Sequence, residues 1–87
     1  MNKERNEILI HTLSVLYSLN AEIMNVREDL NDILVDEEEY YDNIPDNLKN
    51  SELAEYSNEI IGNLDELIDN IDEACNNFEC GMDLLSR

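Results

Sequence analysis

From Glu59 to Glu79 the chain runs through three consecutive sevens with one plan: Ile60, Ile61, Leu64, Leu67, Ile68, Ile71, Ala74, Cys75 and Phe78 are apolar, and the rest are Gly, Asn or acid. Spacings of three and four predict an α-helix with one buried face. Three apolar positions per heptad make a stripe wider than a two-position coiled-coil seam, as a core-facing bundle helix has. Upstream, Leu9, Leu16, Leu19, Ile23, Val26, Leu30, Ile33, Tyr40 and Ile44 follow the same kind of spacing, and no Gly or Pro occurs between Asn2 and Tyr41. One long helix over about 3–41 accounts for this pattern. A break at Ser18-Leu19-Asn20, where Ser and Asn can cap a helix, is the alternative and gives three helices. Between Ile8 and Leu19 the surface is apolar almost all round, which demands cover on more than one side.

The strong interruption is Asp42-Asn43-Ile44-Pro45-Asp46-Asn47. Pro45 disfavours helix at Ile44, and the flanking Asp and Asn residues supply turn chemistry. A turn over 42–50 and a second helix over about 51–79 or longer follow, capped by Asn50 or Ser51, with Glu52 and Glu55 at the positive end of its dipole. Gly81 either ends this helix, or Met82 and Leu85 carry it nearly to Arg87. The fold class is therefore all-α: one domain, 1–87, an antiparallel helical hairpin or bundle of two long helices. Two helices cannot cover stripes this wide, so self-association into a homo-oligomer is expected to complete the core.

Composition sharpens this picture. The 87 residues contain 22 Asp and Glu against five Lys and Arg, a net charge of -17, and all of it lies after Asn20. Repulsion on that scale destabilises a compact monomer, so the charge serves solubility, partner attraction or both. No basic cluster suits nucleic acid directly, and no apolar run or leader suits a membrane or export. The expected location is the cytoplasm of a bacterial host.

Catalytic and metal chemistry find no foothold. His11 follows Glu7 by one helical turn without a nucleophile, which fits an interface histidine. Cys75 and Cys80 are five apart on one helix, too far and too divergent for an unstrained disulfide, and are expected to be buried reduced thiols. The acidic runs lack the alternating acids, central Gly and twelfth-position Glu of a calcium loop. No enzyme activity, cofactor or metal is expected.

The acidic faces carry the functional expectation. Asp65, Glu66, Asp69, Asp72 and Glu73 set one charge per roughly 2.4 Å of helix axis, against about 1.7 Å in duplex DNA. Glu28, Asp29, Asp32, Asp36, Glu37, Glu38, Glu39 and Asp42 add to the field, and no Lys or Arg is interleaved at i+4 to relieve it. Such a surface can occupy a basic groove that normally receives nucleic acid. The candidate partner-binding residues are Glu37, Glu38, Asp65, Asp69 and Asp72, with Tyr40 and Tyr41 as apolar anchors. A solvated face that keeps a small bundle soluble is the plainer alternative.

The stretch Glu37-Glu-Glu-Tyr-Tyr-Asp-Asn-Ile-Pro-Asp-Asn-Leu48, followed by Ser51-Glu52 and the acidic heptads, resembles small helical proteins of Gram-positive prophages and mobile elements. In size and acidity the chain is also similar in type to phage anti-CRISPR inhibitors. This resemblance implies an anti-defence inhibitor that blocks the DNA or RNA groove of a basic host nucleic-acid-binding protein, for example a Cas nuclease, by charge mimicry. The alternative is a non-enzymatic adaptor that docks a partner helix through its apolar N-terminal half.

Overall fold

The computed structural model describes residues 1–86 and consists of two long helices, α1 (Lys3–Asp42) and α2 (Glu52–Leu85), joined by a turn containing one turn of 3-10 helix, Asp46–Leu48. The helices pack side by side as an antiparallel hairpin. Its dimensions are 68 × 17 × 15 Å and its radius of gyration is 19.8 Å, against about 12 Å for a globular chain of this length. The protein is a rod, so most of each helix has only one neighbour.

The helix ends follow local chemistry. Asn2 caps α1 by accepting the Arg5 amide at 2.8 Å, and Glu4 lies in the first turn. At the other end the Asn43 and Ile44 amides bond back to Glu39 and Tyr41 before Pro45 stops the helix. Ser51, rather than Asn50, caps α2 through its hydroxyl, which accepts the Ala54 amide at 3.3 Å. α1 is continuous through Asn20, so the three-helix alternative does not occur. α2 likewise continues through Gly81 to Leu85, with Ser86 as its C-cap, so Met82 and Leu85 carry it on as the second alternative has it. A mid-helix Gly costs about 1 kcal/mol. Met82 beside it is 2% exposed, and burying such a side chain contributes about 1.5–3 kcal/mol, enough to hold the last turn.

The core is a narrow seam. On α1 the positions that turn toward α2 are Leu9, Leu13, Leu16, Asn20, Ile23, Arg27, Leu30, Leu34, Glu37 and Tyr41, all buried or half-buried. On α2 they are Ala54, Ser57, Ile61, Leu64, Ile68, Ile71, Cys75 and Met82. Both series step by three and four, the spacing of an antiparallel coiled coil, except that α2 passes over Phe78, expected in the stripe but 40% exposed, between Cys75 and Met82. The register is fixed by Arg27 bonding to Asp72 and Asn20 bonding to Glu79. Carried along both helices, it sets Leu16 level with Met82, Leu30 with Ile68 and Leu34 with Leu64. Only two residues per heptad are therefore covered. The third apolar row expected in the core, Leu19, Val26, Ile33 and Tyr40 on α1 with Leu67 on α2, is 45 to 53% exposed; Ile60 in that row is half-buried, and Leu53, which continues it, is 69% exposed.

Candidate functional site

Two sides of the hairpin flank the seam, and they differ in chemistry. In an antiparallel pair, the row just after the seam on one helix lies beside the corresponding row on the other. One side is marked by its cross-helix bonds. Arg27 makes a two-pronged contact with Asp72, Nε to Oδ1 at 2.9 Å and Nη2 to Oδ2 at 3.2 Å. Asn20 donates to Glu79 at 3.2 Å. Tyr17 and Ser86 meet at 3.3 Å, and since the Ser86 hydroxyl donates to the Met82 carbonyl, Tyr17 is the donor. Asp65, Asp69, Asp72, Glu79 and Asp83 of α2 occupy this side, joined by Glu28, Glu38 and Asp42 of α1. α2 carries ten acids and no base along its 34 residues. This is the acidic side.

Three of the seven candidate contact residues, Asp65, Asp69 and Glu38, lie exposed on it. Asp72 is also there, but its carboxylate is engaged by Arg27. The guanidinium answers in kind, because the hydrogen bond and charge of Asp72 raise its pKa above the usual arginine value. The other three candidates are dispersed. Glu37 is half-buried in the seam. Tyr41 is half-buried there too, and its ring receives the Lys49 ammonium at 5.0 Å from the centroid. Tyr40 projects on the opposite side, 50% exposed. The seven residues do not form one patch, since neighbours in sequence on a helix diverge by about 100°. The acids of α1 are likewise spread around its circumference, with Glu22, Asp29 and Asp36 running along its outer edge away from the acidic side.

The apolar side was not singled out as a site from the sequence. It carries Leu19, Val26, Ile33 and Tyr40 beside Leu53, Ile60, Leu67 and Ala74. Its signal in the sequence is the third apolar position of each heptad, which the width of the stripe places in the core. Beyond this row, the outer edge of α2 is neutral at Asn63, Asn70 and Asn77.

A third feature lies at the open end, where α1 projects past the last turn of α2. Leu9, Ile10, Leu13 and Tyr17 line a shallow groove of about 590 Å³ with Leu85 and Ser86. Ile8 and Ile10 are 62% and 61% exposed. His11, expected at an interface, is exposed on this overhang. Cys75 is buried in the seam, but Cys80, expected to be buried, is exposed because a five-residue step leaves the seam.

Two polar atoms in the seam have no partner among the described residues: Asn20 Oδ1 and Ser57 Oγ. The same residues contain no group of three His, Cys, Asp or Glu side chains placed to hold a metal ion. No helix among them is long and apolar enough to cross a membrane. No protein-family model, no curated protein and no solved structure matches the chain.

Proposed function

We propose that the protein is a non-enzymatic inhibitor whose acidic side occupies a basic, nucleic-acid-binding groove of another protein, as its resemblance to phage anti-defence inhibitors implies. The observation that carries this reading is segregation. The carboxylates of α2 gather on one side and its back without a single Lys or Arg, along a helix of roughly 50 Å. A solvated surface gains from mixed charge, because interleaved bases relieve repulsion. A surface matched to a basic groove gains from the opposite arrangement, through counterion release and electrostatic steering.

The test begins with the immobilised full chain, a bacterial lysate at low salt and elution by high salt. DNA or RNA binding by the eluted protein is then measured with the parent or the Asp65→Asn, Glu66→Gln, Asp69→Asn variant added. The parent is expected to suppress binding at physiological salt and the variant to fail. Equal inhibition by both leaves the acidic side a solvated surface only.

The overhang supports a second reading, an adaptor that seats a partner helix in the groove beside Ile10, Leu13 and Leu85. Apolar docking of that kind resists salt, whereas groove mimicry collapses as salt rises.

A further inference from the structure

The apolar side has a shape and charge distribution that a second copy of the same chain fits. The hairpin exposes 6746 Å² at a mass of 10.1 kDa, where a globular monomer exposes about 5,300 Å². Between Thr12 and Tyr40 the apolar side is about 42 Å long and 17 Å wide. That footprint, outer edges included, is roughly 700 Å², close to the ~800 Å² per partner of a stable interface.

Like-charged copies can approach only where charge is lowest, and this side is that place. The two inner rows carry no acid. The outer edge of α1 carries Glu22, Asp29 and Asp36, and the outer edge of α2 carries Asn77, Asn70 and Asn63, each set repeating every seven residues. Counted in the register of the hairpin, Glu22 is level with Asn77, Asp29 with Asn70 and Asp36 with Asn63. Within one hairpin these edges stand apart, with both apolar rows between them. They meet only when α1 of one copy lies over α2 of the other.

We propose that two copies pack through their apolar sides about a two-fold axis parallel to the helices, α1 against the partner's α2, with both turns at the same end. This four-helix arrangement faces three acids of each copy with three amides that can donate to them. It also sets Ile33 over Leu67 and, at two positions, a large side chain over a small one, Val26 over Ala74 and Leu19 over Gly81, where an added Cβ meets nothing within 4 Å in the hairpin itself. The other two-fold packing, with turns at opposite ends, lays α1 on α1 and brings the acids of one edge against their own copies. Repulsion disfavours it. The inference stands independently of what the acidic side binds.

Sedimentation equilibrium of the full chain at micromolar concentration is the first measurement, and the expected mass is twice 10.1 kDa. A monomer overturns the proposal and leaves the apolar side for a different partner. Leu67→Glu is expected to give the monomer mass, folded or unfolded. Gly81→Leu, whose Cβ meets nothing within 4 Å in the hairpin, is expected to weaken dimerisation about tenfold or more while circular dichroism stays helical.

The edge pairing has its own test. The triple variant Asn63→Lys, Asn70→Lys, Asn77→Lys is expected to tighten the dimer, and Asn63→Asp, Asn70→Asp, Asn77→Asp to loosen it. Asn31→Lys, Asn58→Lys, Asn76→Lys makes the same change in net charge away from the proposed contact. Equal tightening by both lysine triples overturns the edge pairing, and a Leu67→Glu or Gly81→Leu dimer as tight as the parent's overturns the packing through the apolar sides.

Discussion

The acidic and apolar sides of the hairpin flank the same seam and are built from the same two helices, yet one repels a second copy and the other lacks charge on its inner rows. The difference arises from position within the heptad. On α2, the row following one seam position holds Asp65, Asp72 and Glu79, whereas the row preceding the other holds Leu53, Ile60, Leu67 and Ala74. A step of two residues, about 160° of helical angle the short way round, thus separates the acidic row from the apolar one. The contrast also explains why so acidic a chain can keep a folded core. Carboxylates dominate the acidic side and the backs of the helices, and the seam admits only one, the half-buried Glu37.

The largest effect is expected where seam and flank are compared directly. Ile68 is 4% exposed and Leu53 is 69% exposed. Ile68→Ala should destabilise the hairpin by about 2–5 kcal/mol, read as a shift in the urea midpoint. Leu53→Ala should stay within about 0.5 kcal/mol at concentrations low enough to keep the chain monomeric. A large loss at Leu53 under those conditions would mean that the flank belongs to the core of the single hairpin.

A smaller effect sharpens the description of the seam. Asn20 is 7% exposed, donates to Glu79 and leaves its Oδ1 unpartnered. Replacing it by Leu removes that buried acceptor and leaves Glu79 free to meet solvent. Asn20→Leu is expected to raise stability by about 1 kcal/mol. The gain should come with broader register or oligomer distribution, because a polar residue at such a seam position selects one pairing at a cost in stability. Chemical denaturation gives the first quantity and sedimentation the second. A destabilised Asn20→Leu would assign Asn20 a bonded role.

The elements of the fold were legible, and the division of their faces was not. Pro45 with its Asp and Asn neighbours announces the turn, and Ser51 announces the second helix, because both act on the backbone within a few residues of themselves and need no distant partner. The three-per-heptad stripe was harder, since hydrophobicity marks positions that can be buried without saying how many neighbours exist to bury them. With one neighbour, two positions per heptad are covered and the third is left. Asn20, Arg27, Glu37 and Ser57 were missed as seam residues because polar side chains break the apolar pattern, although the series Leu9, Leu13, Leu16, Asn20, Ile23, Arg27, Leu30 keeps strict three-four spacing through them. The contact residues were only partly legible for a related reason. Tyr40 and Tyr41 are adjacent in sequence but lie on different faces, and Asp72 looks like Asp65 until Arg27 is placed beside it.

Salt tests the balance between the sides as a whole. Added sodium chloride screens the repulsion among acids, so the melting temperature of the free protein should rise with salt. The affinity of the acidic side for a basic partner should fall over the same range. These opposite trends are expected from one preparation, the first by circular dichroism and the second by titration. A melting temperature that falls with salt would mean that attractive pairs outweigh the repulsion.

The smallest effect distinguishes two carboxylates within one row of the acidic side. Asp65 has no ion-pair partner among the described residues, and Asp72 holds Arg27 at 2.9 Å. Asp65→Asn removes a repelling charge and should raise the melting temperature slightly. Asp72→Asn removes a repelling charge too, but it also deprives Arg27 of the carboxylate that raises its pKa. The two consequences oppose each other, so this variant should melt at or below the parent. The ordering should hold across neutral and mildly alkaline pH. A group whose folded pKa is raised contributes stability fully below its unfolded pKa and loses it only as pH climbs through the folded value, which for Arg27 lies beyond the usual arginine range. Because both side chains are partly exposed, at 30% and 43%, salt should narrow the gap between the two variants. If Asp72→Asn instead melts as high as Asp65→Asn at low salt, the bidentate contact contributes nothing to the fold, and Asp72 rejoins Asp65 and Asp69 as a free charge on the acidic side.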